Sequence, residues 1–148
     1  MAMPVNRGTA GWNVEDEEKM AKPTLTNPAG VHPPLGHYAH AVSVPAGARR
    51  VVLSGQVAVR LDGSVANGAA DQVAQVLANI RAVLAAHDLG PANVVKVTTF
   101  LTDRAVLPDW RAQRDAFFGT HAPASTLVFV SGLADPRFLV EVELEAVD

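Results

Sequence analysis

A helix followed by a strand forms the clearest pattern in the chain, between residues 70 and 102, which read ADQVAQVLANIRAVLAAHDLGPANVVKVTTFLT. Apolar residues spaced by three and four place one apolar face on the helix: Val73, Val76, Leu77, Ile80, Val83 and Leu84. Gly90 and Pro91 predict where the helix stops, with glycine as the left-handed cap. The β-branched run from Val94 to Thr102 predicts the strand.

Upstream of the helix, two short β-prone runs cover residues 39–44 and 50–54. The turn residues Pro45-Ala46-Gly47-Ala48 separate them, which predicts a hairpin. Downstream, residues 107–118 predict a second helix ended by Gly119, and residues 125–131 predict a strand.

The last predicted strand, residues 138–147, alternates strictly between apolar and acidic side chains. One face carries Phe138, Val140, Val142, Leu144 and Ala146, and the other carries Glu141, Glu143 and Glu145. The order β-β-α-β-α-β-β predicts an α+β fold, a mixed sheet with two helices on one face. The uncovered face mixes polar and apolar residues, which predicts a homo-oligomer.

Length and composition exclude several classes of protein. The 148 residues suit one domain, and 49% hydrophobic against 18% charged residues predicts a folded chain. We expect a loose or extended arm over residues 1–24, with the acidic run 15–18 and Trp12, and a single domain over residues 25–148. The net charge of -3 argues against nucleic acid as a partner. No apolar stretch has signal-peptide or membrane-span length, so we expect a cytoplasmic protein without a membrane partner.

Few residues have the chemistry of a conventional catalytic centre. The absence of cysteine excludes thiolate nucleophiles and Cys-ligated metal. His37 and His40 lie three apart in extended chain, so they point to opposite faces, and we predict neither a metal site nor a cofactor. The three glutamates either solubilise the strand or, within an oligomer, handle a proton. Tyr38, the only tyrosine, either packs or lines a ligand site.

Five segments are distinctive in their order and spacing. They are Gly36-His37-Tyr38-Ala39-His40-Ala41-Val42, Ser54-Gly55-Gln56, residues 94–103, Pro123-Ala124-Ser125-Thr126 and Val142-Glu143-Leu144-Glu145-Ala146. Together they resemble the Rid family, the reactive intermediate deaminases, also called YjgF-like or endoribonuclease L-PSP-like proteins. The resemblance runs from about Leu25 to the end of the chain.

The resemblance implies a chorismate-mutase-like unit that forms a homotrimer, with the sheets turned inward and small-molecule clefts between subunits. It also implies hydrolysis of reactive enamines and imines, such as 2-aminoacrylate, to keto acids and ammonia without a cofactor. On the same ground Glu143 is the catalytic residue that positions water. The candidate substrate-binding residues are Tyr38, Ser54, Gly55, Arg111, Ser125 and Thr126.

One position departs from the family pattern. Deaminating members grip the substrate carboxylate with the arginine of a Pro-Ala-Arg-Ser/Thr motif, and Ser125 stands at that position here. A guanidinium offers two charged hydrogen bonds where a serine offers one neutral bond. By the same resemblance, Arg111 stands at a helix position where the deaminating relatives have an asparagine. Arg111 either supplies the positive charge of the missing arginine or is an ordinary surface arginine. Arg137 is a second candidate of the same kind.

Four functions therefore compete. The first is a trimer that binds a small carbonyl or carboxylate metabolite, as a hydrolase of a non-standard substrate. The second is an enamine/imine deaminase. The third, an endoribonuclease, conflicts with the negative charge and the absence of a basic run. The fourth is a non-catalytic regulatory module.

Overall fold

The structure, a computed structural model, describes residues 22–148. The N-terminal arm predicted for residues 1–24, with Trp12 and its acidic run, therefore lies outside the described residues except for residues 22–24.

Six strands and two long helices follow one another along the described part of the chain. Their bounds are β1 (Thr24–Thr26), β2 (Ala41–Ser43), β3 (Arg50–Gln56), α1 (Ala69–Ala85), β4 (Val94–Leu101), α2 (Leu107–Phe118), β5 (Ala124–Phe129) and β6 (Val140–Val147). Short 3-10 turns at Pro91–Asn93 and Arg104–Val106 precede β4 and α2.

The main sheet has the strand order β3-β6-β4-β5. Strands β4 and β5 are parallel, because α2 connects them as a crossover, and the other pairs are antiparallel. This confirms the predicted α+β fold with a mixed sheet.

The predicted hairpin between the first two strands is wrong. Strand β2 pairs with β1 in a separate two-stranded sheet, and β3 pairs with β6. The turn expected at residues 45–48 is present, with the Ala48 N–H donating to the Pro45 carbonyl. The two three-residue strands, β1 and β2, form hydrogen bonds with each other. The seven-residue β3 pairs instead with the eight-residue β6.

Helix α1 covers the core as its pattern predicts. Val73, Val76, Ile80 and Leu84 are at most 1% exposed and pack in one hydrophobic cluster with α2 and one face of the sheet. Fully burying such an aliphatic side chain is worth about 1.5–3 kcal/mol.

The capping residue of α1 differs from the prediction. Asp88 adopts the left-handed conformation, with φ 59°, whereas Gly90 is extended. The Leu89 N–H donates to the Leu84 carbonyl and the Asp88 N–H to the Ala85 carbonyl, which is a Schellman ending. The chain therefore turns two residues before the glycine. Helix α2 ends as predicted, with Gly119 at φ 58°.

The second face of the sheet is not covered by either long helix of the described residues. Val140, Val142, Leu144 and Ala146 of β6 are buried against the helices, so Glu141, Glu143 and Glu145 point the other way. We call this second surface the open face; besides the three glutamates it carries Arg50, Val52, Ser54, Lys96, Thr98, Thr126 and Val128. Val52 is 64% exposed there. Among the described residues, no helix combines the length and apolar character that crossing a membrane requires.

Candidate functional site

A cavity of about 300 Å³ lies beside α2 on the helix-bearing side of the sheet. We call it the arginine pocket; its lining comprises Leu35, Gly36, Tyr38, Arg104, Leu107, Arg111, Arg114, Ser125, Leu127 and Phe129. Three of the candidate residues, Tyr38, Arg111 and Ser125, thus meet at one site. Among residues 22–148, no aspartate or glutamate belongs to the lining.

Two regular elements supply most of the pocket wall. Alternation along β5 points Ser125, Leu127 and Phe129 to the same side of the sheet. On α2, Arg111 and Arg114 stand four and seven residues after Leu107, which is the spacing of one helix face. The arrangement is therefore set by the periods of a strand and a helix.

Tyr38 closes the pocket from the segment that precedes β2. Its hydroxyl accepts a hydrogen bond from the Leu35 N–H at 3.1 Å, so the hydroxyl proton stays available to a ligand. The next residue, Ala39, is 3% exposed, and its N–H donates to the Pro123 carbonyl at the start of β5. This contact fixes Tyr38 next to Ser125.

The three arginines of the pocket have different environments. The Arg104 guanidinium lies 4.5 Å from the centre of the Phe129 ring. Arg114 is buried, and its Nε and Nη2 donate to Asp115 at 3.0 and 2.8 Å. Arg111 is exposed, and within residues 22–148 no hydrogen bond or ion pair involves its side chain. Its guanidinium can therefore bind a ligand anion.

Arg104 and Arg114 were not among the predicted site residues. The spacing of Arg104, Arg111 and Arg114 places all three along one side of a helix and the turn before it, which is a signal readable from the sequence. The sequence prediction named Arg111 and Arg137 as the arginines that replace the missing charge, and of these only Arg111 lines the pocket.

The remaining candidate residues lie on the open face or at its edge. Glu143 lies opposite Thr98 on β4 and borders a smaller cavity of about 110 Å³. Thr126 accepts a hydrogen bond from the Lys96 ammonium at 2.6 Å. Ser54 is exposed on β3, in the same face of the sheet.

Gly55 follows Ser54 where the pairing of β3 with β6 is irregular, between Leu53 and Gln56. A Cβ at position 55 would overlap the Glu141 carboxylate. A side chain at position 55 would therefore displace the flexible end of the Glu141 side chain.

A family model described as Endoribonuclease L-PSP matches residues 30–148. The chain belongs to this family, the Rid or YjgF proteins.

Individual relatives agree with this assignment. The chain is 35% identical to protein HMF1 of Saccharomyces cerevisiae over 111 residues, which cover 74% of this chain and 81% of that protein. It is 34% identical to the 2-iminobutanoate/2-iminopropanoate deaminase of Salmonella typhimurium over 101 residues, 66% of this chain and 77% of the deaminase. The crystal structure of the Rid-family protein YyfB from Yersinia pestis matches with a TM-score of 0.78 and 32% identity, covering 85% of this chain and 98% of that one.

In this Rid-family chain, one subunit does not unite the candidate residues. Tyr38, Arg111 and Ser125 line the arginine pocket, whereas Ser54, Thr126 and Glu143 face the opposite side of the sheet. The sheet itself separates the two groups. Glu143 therefore cannot act on a ligand held in the pocket of its own subunit.

Arg137 lies away from both groups. It does not line the arginine pocket, and its Nε and Nη2 donate to Asp135 at 3.0 and 2.8 Å. These hydrogen bonds lower the pKa of the Asp135 carboxyl to about 2 and raise the pKa of the Arg137 guanidinium. The Arg137 side chain therefore binds within its own loop, to Asp135.

The side chains of His37, His40 and His121 form hydrogen bonds with backbone carbonyls. Nε2 of His37 lies 2.8 Å from the His121 carbonyl, Nε2 of His121 lies 2.6 Å from the Val94 carbonyl, and Nε2 of His40 lies 2.6 Å from the His32 carbonyl. A nitrogen that faces a carbonyl must carry the proton, so it cannot bind a metal in this arrangement. Within residues 22–148, no three histidine, aspartate or glutamate side chains gather as a metal-ligand set.

Proposed function

We propose that this protein is a homotrimer that binds a small carboxylate-bearing metabolite in clefts between subunits and hydrolyses it. The observation that carries this proposal is the arginine pocket, where Arg111, Tyr38 and Ser125 meet and to which the described part of the chain contributes no carboxylate. A guanidinium forms two parallel hydrogen bonds with a carboxylate. Arg111 thus takes the part that the motif arginine plays in deaminating relatives.

The separation of the two residue groups supports the trimer. Ser54, Gly55 and Glu143 complete a site with Tyr38 and Arg111 only when they come from a neighbouring subunit. The open face offers a surface for this contact, because it exposes Val52 and Val128 among polar residues. A cyclic trimer repeats one such heterologous contact three times.

Glu143 has the chemistry to use water as a nucleophile. Its carboxylate accepts a proton from water as the oxygen adds to an electrophilic carbon. For an imine, water adds to the carbon of the C=N bond, the C–N bond then breaks, and a carbonyl compound and ammonia leave. The nitrogen takes up the protons that the water oxygen loses.

The related deaminase from Salmonella typhimurium favours a second candidate, the hydrolysis of 2-imino acids themselves. In that case a hydrogen bond from Arg111 or from Ser125 is sufficient to bind the substrate carboxylate. The two candidates differ in substrate: the first requires a non-standard one, and the second accepts simple imino acids.

Both candidate functions are tested by measuring ammonia release. The substrates are freshly generated 2-aminoacrylate and imines of several amino acids. We expect catalysed release that falls at least a hundredfold in Glu143→Gln. Asp71→Asn, which makes the same chemical change on the exposed surface of α1, should keep the wild-type rate. Acceleration with 2-aminoacrylate would favour the simple deaminase.

An unchanged rate in Glu143→Gln would exclude the water-activating role. Absence of acceleration with every imine would exclude deamination and direct the search to other hydrolysable metabolites.

A further inference from the structure

The arginine pocket holds more positive charge than one carboxylate needs. Arg104, Arg111 and Arg114 all line it, and no acidic residue within the described range 22–148 does. One bidentate guanidinium already satisfies both oxygens of a carboxylate. The second and third guanidinium groups would repel one another in an empty or singly occupied cleft.

Arg104 and Arg114 are each held by a different neighbour. Arg104 stacks on Phe129, and Arg114 is bound to Asp115 and buried along most of its length. Arg111 belongs to the same helix face as Arg114, about 4.5 Å away along the helix axis. Arg104 and Arg111 are both exposed and do not share a partner, so each guanidinium can bind a separate anionic group.

Between these charges the wall is apolar. Leu107, Leu127 and Phe129 line the same cavity, whose volume of about 300 Å³ suits a small metabolite. An aliphatic chain can contact these side chains while its two ends reach arginines.

We propose that the arginine pocket takes a small dicarboxylate, and that the substrate is a metabolite with two carboxylates on a short aliphatic chain. This inference rests on the proposed function for its catalytic part, but its binding part depends only on the pocket. Arg111 binds one carboxylate and Arg104 the other. The Arg114 charge, largely compensated by Asp115, contributes least.

Calorimetric titration of the full chain with glutarate and with pentanoate tests the binding part. The two acids have the same number of carbons and differ by one carboxylate. We expect glutarate to bind about tenfold more tightly or better, since it gains one charge-assisted hydrogen-bonded pair. Inorganic phosphate, whose charge is concentrated at one point, should bind more weakly than glutarate.

Two exposed arginines can be changed without disturbing the core. Arg104→Gln and Arg111→Gln should each reduce the preference for glutarate about tenfold. Arg81→Gln is the matched control, because Arg81 also stacks on an aromatic ring, with 4.7 Å to the Phe117 ring centre, and lies outside the pocket. It removes the same charge and should leave the preference unchanged.

Equal affinities for glutarate and pentanoate, or no measurable binding of either, would overturn the proposal. So would a preference that survives in the Arg104→Gln/Arg111→Gln double variant. Turnover separates this failure from that of the proposed function. If imines of monocarboxylic amino acids are hydrolysed as fast as those of acidic amino acids, only the dicarboxylate inference is wrong. If glutarate binds but no imine is hydrolysed, only the deaminase activity is wrong.

Discussion

The loop that contains Asp135 and Arg137 stabilises the ionised form of the Asp135 carboxyl. The Arg137 N–H donates to Asp135 at 2.9 Å in addition to the two guanidinium bonds. All three bonds favour the ionised carboxylate, and the pKa of Asp135 is lowered to about 2. Because the folded pKa lies below that of an unfolded aspartate, the pair contributes stability above pH of about 4.

This contribution is lost as the pH falls toward 2. We expect Arg137→Gln to raise the pKa of the Asp135 carboxyl toward the ordinary aspartate value of about 3.9, since the charged donors are removed. A pH titration followed by NMR at the Asp135 carboxyl carbon measures this shift. An unchanged midpoint would show that the backbone bond alone sets the pKa.

Ser125 and Thr126 are neighbours in the chain but lie on opposite sides of the sheet. Ser125 lines the arginine pocket, and Thr126 accepts from Lys96 on the open face. Family resemblance identified both positions, since it depends on order and spacing. The resemblance placed both in one set of substrate-binding residues, although the alternation of the predicted strand 125–131 already points consecutive side chains to opposite faces.

At the scale of elements, the end of α1 depends on one residue with positive φ. Asp88 adopts φ 59° and allows the turn that buries Leu89 beside Leu84. A residue with a Cβ is strained in this region, although aspartate tolerates it better than most.

Asp88→Gly should therefore stabilise the protein by about 0.5–1 kcal/mol. Thermal and urea unfolding measure the change. Gly90→Ala is the matched comparison: Gly90 is extended and has open space around its Cβ position, so we expect a change within about 0.5 kcal/mol. Stabilisation by Gly90→Ala that exceeds the effect of Asp88→Gly would contradict this account.

Long periodic elements were predictable and short ones were not. Helix α1 and strand β6 each repeat their pattern over several turns or residues, and both were predicted within a few residues of their observed bounds. Strand β1 has three residues between Pro23 and Asn27, so it carries no period. Because β1 was not predicted, β2 had no other partner, and the prediction paired β2 with β3.

At the scale of the whole molecule, the open face is a side of the main sheet that neither α1 nor α2 covers. Arg50 and Glu145 form an ion pair at 2.7 Å there, next to the exposed Val52. The uncovered face was predictable from the alternation in β6. The opposite placement of Glu143 and Arg111 follows from the same prediction, since Arg111 lies on a helix that covers the other face. The meeting of Arg111 with Tyr38 and Ser125 was not predictable, since it depends on how the segment before β2 packs beside β5 and α2.

Sedimentation of the purified protein should give a mass near three times 15.6 kDa. Val52→Asp should shift it toward the monomer, because it adds a carboxylate beside Glu145 in the proposed interface. Leu61→Asp is the control, since Leu61 is fully exposed in a turn outside the sheet. A wild-type monomer, or a trimer unaffected by Val52→Asp, would contradict the assignment of the open face to the interface.

The division of the site between two faces of the sheet also has a genetic meaning. In the proposed trimer, each cleft takes Arg111 from one subunit and Glu143 from the next. A strain that carries Arg111→Gln and a second that carries Glu143→Gln would each lose activity, yet equal coexpression of both alleles would give about a quarter of the clefts two intact residues. The gene would thus show intragenic complementation, with each damaged copy covering the defect of the other.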